Sequence, residues 1–278
     1  MGGMEQITAQ GMHMDKLGLG TFRMKGAECT AAVTLGLELG YRHIDTAEMY
    51  GNEEAIGAAL AASPVARADI HLTSKVWWDH LEADAMDRAL DGSLAKLGTD
   101  HLDLYLVHWP AAGMDLPAVM KALFACKESG RVRAIGVANF PSKLLAQAAG
   151  LAPIACNQVE YHVLLEQNVL LAAMRELGIP LVAYAPLAQG RLAEHAALRA
   201  IADKHGCTPA QVALKWLLDQ EGVAAIPKAS RRESQQANLD ALKVTLDEAD
   251  RAAIAGLPKG ERFVQPGFAP VWDMALAA

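Results

Sequence analysis

Eight short runs rich in branched residues alternate along the chain with longer segments of helical period, and this alternation limits the fold more than any other feature. The expected strands are Leu17–Phe22, Tyr41–Ala47, Asp69–Trp77, Leu102–Trp109, Val132–Asn139, Ile154–His162, Pro180–Leu187 and Val223–Ser230. Between them lie helix signals. Gly40 is a stop, Asn52 stands at an N-cap position, and Thr208 followed by Pro209 opens one of two helices in the long seventh gap. In the third segment Ala85, Leu90, Leu94 and Leu97 fall near one face. Strands separated by helices pair in parallel through right-handed crossovers, which leaves a closed barrel or an open doubly wound sheet. No linker or change of composition divides the 278 residues. The expectation is therefore one domain over 1–278, an α/β chain folded as a (β/α)8 TIM barrel with extra helices late in the chain. The dipeptide Gln10-Gly11 is expected to turn an N-terminal β-hairpin that caps the bottom of the barrel.

The stretch "GLGTFR" (Gly18–Arg23) begins like the dinucleotide fingerprint G-x-G-x-x-G. Arg23 replaces the third glycine and no helix follows at once, so it carries no Rossmann signal. The net charge of −7 and the lack of a basic tract argue against nucleic acid or an anionic membrane as partner. An anionic ligand must instead meet a local basic cluster. Cys29, Cys126, Cys156 and Cys207 lie far apart without a CxxC pair, as in a protein with reduced thiols. The N-terminus shows no signal pattern, Gln6 spoils a myristoylation motif after Gly2, and no run is long enough to span a bilayer. The expected location is the cytoplasm.

In a parallel barrel the chemistry collects at the C-terminal ends of the strands. Those ends carry Gly20, Thr21 and Phe22; Asp45, with Tyr50 just beyond; Lys75, Trp77 and Trp78; His108 and Trp109; Asn139; Gln158 and Glu160; Tyr184; and Lys228. A lone residue of any of these types is ordinarily structural. Asp45, Tyr50, Lys75 and His108 on adjacent strand ends are another matter. A phenol has a pKa near 10, an ammonium beside it favours the phenolate, a carboxylate holds the ammonium, and an imidazole can steer a carbonyl oxygen. Together they make a general acid suited to protonating an alkoxide as it forms. Glu160 and His162 share one side of a strand, but no HxH or HExxH pattern accompanies them, so no metal is expected. A hydride donor such as a nicotinamide remains, and Tyr184, Asn139 and Gln158 are the residue types to stack on it and hold its amide. Lys228, Arg231 and Arg232 supply cations where the eighth strand enters its helix.

With "LGLGTF", "GYRHIDTAEMYGNE", "TSKVW", "DLYLVHWP", "IGVANF", "NQVEYH", "YAPLAQG" and "IPKAS" in order, the chain resembles the aldo-keto reductases nearly end to end, and among them the short-tailed bacterial diketogluconate-reductase-like members. The resemblance implies a catalytic tetrad of Asp45, Tyr50, Lys75 and His108, with Tyr50 as proton donor. It places Gly20, Thr21, Asp45, Asn139, Gln158, Tyr184, Leu187, Gln189, Lys228, Ser230, Arg231, Arg232 and Asn238 along the cofactor, and Phe22, Trp77, His108 and Trp109 around a small-molecule carbonyl substrate. It also implies NADPH as cofactor, with NADH possible, and a monomer. Three positions depart from the family pattern: Ala138 stands before Asn139, Ala229 follows Lys228, and Ser234 replaces the usual 2′-phosphate arginine. The brief tail from Phe263 is expected to leave the pocket open. The alternatives are a cofactor-binding regulatory or structural barrel without turnover, and a metal-dependent barrel hydrolase.

Overall fold

The computed structural model describes residues 4–273. Residues 1–3, including the Gly2 of the lipidation reading, and the last five of the tail lie outside the described residues. The chain opens with β1 (Gln6–Ala9) and β2 (Met12–Asp15), paired antiparallel with Gln6 opposite Asp15. Both turn residues are left-handed, Gln10 at φ 50° and Gly11 at φ 88°, as a two-residue hairpin turn requires. Ile7, Met12 and Met14 are buried in one cluster with Leu104, Leu106 and Cys156 of the barrel interior. The hairpin backbone also bonds His43 and His71, each the first residue of its strand, through Asp15 O at 3.1 Å and His13 O at 3.0 Å. It therefore plugs the N-terminal end of the barrel.

The barrel strands are β3 (Leu19–Gly20), β4 (His43–Asp45), β5 (His71–Val76), β6 (Leu102–Val107), β7 (Val132–Ala138), β8 (Ile154–Glu160), β9 (Leu181–Tyr184) and β10 (Val223–Ala225). They pair in parallel and in sequence order from β3 to β10. Parallel bridges from Leu17 to Ala225 and from Gly20 to Lys228 join the first strand to the last, so the sheet is closed rather than open. Closure explains the glycine of the misleading fingerprint: a Cβ on Gly20 would stand 2.5 Å from the Ile226 carbonyl oxygen. Only a residue without a side chain lets these two strands meet.

The helices are α1 (Gly26–Leu39), α2 (Glu53–Ala62), α3 (Ala83–Leu97), α4 (Leu116–Glu128), α5 (Ser142–Ala149), α6 (Asn168–Leu177), α7 (Ala196–His205), α8 (Pro209–Leu218), α9 (Arg232–Asp240) and α10 (Glu248–Ala255). α1 ends at left-handed Gly40, and α8 starts with a full capping box between Thr208 and Gln211. α7 and α8 both fall in the long seventh gap. On α3 the buried residues are Met86, Leu90, Ser93, Leu94 and Leu97, so Met86 takes the core place expected for Ala85. Asn52 stands at the start of α2 without capping it. Its amide instead donates to Thr21 O and Met24 O and accepts from Thr46 Oγ1, which ties the loop after β3 to the loop after β4. The strands are shorter than the sequence suggests because their last residues leave the ladder to build the rim. No helix among the described residues is long and apolar enough to cross a membrane. The four cysteines are free thiols.

Candidate active site

Asp45 closes β4 and is 1% exposed; Lys75, next to last in β5, is fully buried. The Lys75 ammonium donates to Asp45 Oδ1 at 2.6 Å and to Thr46 O at 2.7 Å, and it reaches the Tyr50 hydroxyl at 3.4 Å. The other carboxylate oxygen of Asp45 accepts from Gln158 Nε2 at 2.7 Å. Asp45 is thus held on both oxygens, and the ammonium it holds faces a phenol. Tyr50 ends a short 3-10 turn, Glu48–Tyr50, closed by left-handed Gly51 at φ 58°. Its ring packs on Phe22 with centroids 5.0 Å apart and on His108 at 5.7 Å.

Burial works to lower the pKa of Lys75, but the Asp45 carboxylate and the Tyr50 oxygen outweigh it and hold the ammonium charged. For Tyr50 the largest influence is burial, which pushes the phenol up; Lys75 pulls it down and Asp45 pushes it up again. The net direction is upward. The ammonium acts as the sequence suggests, yet it offsets burial only in part. A raised pKa keeps the phenol protonated at neutral pH, the form that can give a proton. His108 sits just beyond β6, where burial and then the Lys75 charge depress its pKa well below the usual histidine value. The imidazole is neutral at pH 7, and its buried Nδ1 has no partner among the described residues.

These groups floor a cavity of about 620 Å³. Gly20, Thr21, Phe22, Asp45, Tyr50, His108, Trp109, Asn139, Gln158, Tyr184, Leu187, Gln189 and Lys228 all line it, as does Arg23. Asn139, left-handed at φ 63°, donates from Nδ2 to His108 O at 2.9 Å and accepts at Oδ1 from the Tyr184 hydroxyl at 2.8 Å. That bond fixes the Tyr184 ring at the cavity wall. Asn139 keeps a second N–H, and Gln158 keeps an N–H and a carbonyl oxygen, a donor and acceptor set that fits a carboxamide. Among the described residues the cations on the wall are Arg23 and Lys228, while the one carboxylate there, Asp45, is already engaged; such a wall suits an anionic ligand.

Ser230, Arg231, Arg232 and Asn238 do not line the cavity. Arg232 points instead to α1, where it pairs with Glu38 at 3.0 Å, and Asn238 is buried within α9 with Nδ2 unpartnered among the described residues. Trp77 lies one step back from the cavity, its ring edge-on to His108 at 5.0 Å.

The described part of the tail supplies part of the cavity wall. Glu160, fully buried, accepts from the Phe263 N–H at 2.7 Å and the Val264 N–H at 3.0 Å, and it faces His162 Nε2 at 3.1 Å. This places Val264 in the cavity lining. Phe268 follows, 5.7, 5.4 and 5.6 Å from the rings of Trp77, Trp78 and Trp109. Asp273 then accepts from the Ser142 N–H and hydroxyl at the start of α5. An irregular segment has no period to read, so nothing in the pattern points to Val264; the aromatics Phe263, Phe268 and Trp272 are the one signal in the tail that could mark a wall. Met49 and Gly190 also line the cavity and escaped sequence reasoning.

A buried acid–lysine pair under a phenol, at the C-terminal rim of a closed parallel barrel, defines the class of carbonyl-reducing oxidoreductases that work on a barrel rim. The comparisons give the same answer. The aldo/keto reductase family model matches residues 16–258, and the chain belongs to that family. The methylglyoxal reductase DkgB of Escherichia coli O157:H7 is 40% identical over 268 residues, covering 94% of this chain and 100% of that one. An aldo-keto reductase of Mycobacterium sp. (strain KMS) is 38% identical over 256 residues, 91% of this chain and 92% of that one. A crystal structure provisionally named 2,5-diketo-D-gluconic acid reductase B matches with a TM-score of 0.94 at 40% identity, covering 98% of both chains. The protein is an oxidoreductase that reduces carbonyl groups, and it takes a nicotinamide cofactor.

Proposed function

We propose that the protein reduces aldehydes and ketones to alcohols with NADPH, reversibly, with Tyr50 as the proton donor. The observation that carries this reading is the relay from Asp45 through Lys75 to Tyr50, 2.6 and 3.4 Å long, at the floor of the cavity. A bound reduced nicotinamide supplies the hydride that the carbonyl carbon takes up. Tyr50 gives its hydroxyl proton to the carbonyl oxygen as that oxygen becomes an alkoxide, and the phenolate left behind is held by the Lys75 ammonium. Asp45 keeps Lys75 charged and aimed. Neutral His108 orients the carbonyl oxygen through a ring N–H. Asn139 and Gln158 would hold the carboxamide, and Tyr184 would offer its ring to the nicotinamide.

Lys228 is the cation best placed for an adenosine phosphate, since it is exposed and lines the cavity. Arg231, exposed at the N-cap of α9, is a second, and Ser234 in the arginine's place weakens the preference for NADPH over NADH. Phe22, Trp109 and Val264 line the substrate side, with Trp77 behind them. Relatives named for methylglyoxal and for 2,5-diketo-D-gluconic acid favour small dicarbonyls as substrates. We read the chain as one barrel domain working as a cytoplasmic monomer. The test is oxidation of NADPH and of NADH by purified protein with methylglyoxal and a panel of simple aldehydes. Faster turnover with NADPH is expected; no turnover with any carbonyl leaves the regulatory or structural alternative.

A further inference from the structure

We propose that Glu48 is a positioning residue for proton transfer, holding the Tyr50 turn against the strand that carries Lys75. This rests on the reading of Tyr50 as the donor. Glu48 opens the 3-10 turn that Tyr50 closes, and its side chain is only 13% exposed. Its Oε1 accepts the backbone N–H of Trp77 and faces His80 Nδ1 at 3.1 Å. Trp77 is the residue immediately after β5, two beyond Lys75. One carboxylate oxygen therefore fastens the turn bearing the phenol to the strand bearing the ammonium.

The same bond fixes the start of the Trp77 loop, and the Trp77 ring packs edge-on against His108 at 5.0 Å. Glu48 thus joins the supports of Tyr50, Lys75 and His108 without lining the cavity itself. The Lys25 ammonium bonds to the carbonyl of Tyr50, so the turn has a second grip. Of these two grips, the one from Glu48 runs to the residue that follows β5.

The contact at stake is sensitive. Tyr50 Oη and Lys75 Nζ stand 3.4 Å apart, at the long end of hydrogen-bond range, where a small further displacement ends the interaction. A turn left free to move away from β5 loses the ammonium that steadies the phenolate, while the cofactor limb of the cavity is untouched.

Two substitutions separate reach from charge. Glu48→Gln keeps an oxygen at the same distance from the Trp77 N–H and loses the charge. Glu48→Asp keeps the charge and is one methylene too short. In steady-state reduction of methylglyoxal, Glu48→Asp is expected to lower kcat by about ten- to a hundredfold, because a displacement of about 1 Å in a catalytic group costs on that order. Glu48→Gln should stay within about threefold of wild type, and KM and the NADPH Kd, read by fluorescence quenching, should move less than about twofold in both. Wild-type kcat in Glu48→Asp overturns the proposal. So does Glu48→Gln falling as far as Glu48→Asp, which would make the charge decisive, and so does a fall in Tm or in NADPH affinity that tracks the loss of kcat. Tyr50→Phe measured alongside keeps the two readings apart: if it stays active, the donor assignment fails whatever the Glu48 variants do.

Discussion

Replacing Lys75 by methionine separates the structural from the catalytic side of the buried pair. Lys75 Nζ has three partners, Asp45 Oδ1, Thr46 O and Tyr50 Oη, and among the described residues it alone donates to Asp45 Oδ1. Without it a carboxylate that is 1% exposed keeps one bond, from Gln158, and no counter-charge. Removing one member of a buried ion pair costs about 3–5 kcal/mol, a large share of the roughly 5–15 kcal/mol that holds a typical domain together. Urea unfolding at pH 7 should show a loss of this size. Adding Asp45→Asn removes the stranded charge and should recover at least about half of that stability. Activity should behave differently. The phenol loses the charge that pulls its pKa down, so reduction should fall by roughly 10²–10⁴ in Lys75→Met and stay low in the double variant. Stability within about 1 kcal/mol of wild type for Lys75→Met, or a double variant that regains activity, refutes the reasoning.

His43, His71 and His108 are each pushed below the ordinary pKa of 6.5, with burial the largest cause. They stay neutral in the folded state while the unfolded chain takes up protons, so stability is full above about 6.5 and declines as pH falls from there, by up to about 1.4 kcal/mol per pH unit for each. Urea midpoints at pH 7 and pH 5 check this, and a flat midpoint contradicts it. Lys228→Ala should narrow the preference for NADPH over NADH by about ten- to a hundredfold, the worth of one charge-assisted hydrogen bond, whereas Arg232→Ala, already paired with Glu38, should change it little. Dissociation constants for both cofactors at fixed salt decide that point. Val264→Phe should raise KM for bulky aldehydes more than for methylglyoxal, since Val264 lines the cavity.

The residues that floor the site were legible in the sequence because a parallel barrel gathers the ends of its strands on one rim, so finding eight strand ends also found Asp45, Lys75, His108, Asn139 and Gln158. Tyr50 came with them as part of the turn that follows β4. The closed barrel and its first strand were expected, but the contact that closes it was not legible: the Gly20 that lets β3 meet the residues after β10 looked like part of a nucleotide motif. Directions of long side chains were not legible either. Arg231 and Arg232 are neighbours in sequence, but Arg232 turns to Glu38 on α1. Asn52 has the side chain of a cap, yet its amide bonds the carbonyls of Thr21 and Met24 in the loop after β3. The wall formed by Val264 and Phe268 depends on the buried Glu160, some hundred residues earlier, receiving two backbone N–H groups from a segment with no pattern of its own. The balance at Tyr50, where burial outweighs the ammonium, depends on depth, which spacing along the chain does not encode.

The donor assignment rests on a single hydroxyl, and Tyr50→Phe removes that group alone. The ring stays against Phe22 and His108, so the cavity keeps its shape. Single-turnover reduction of methylglyoxal by the variant loaded with NADPH, set beside NADPH binding by fluorescence quenching, is the measurement. The expected result is an NADPH Kd within about twofold of wild type and a reduction rate lower by roughly 10²–10⁴. Reduction at near wild-type rate would show that the proton comes from elsewhere.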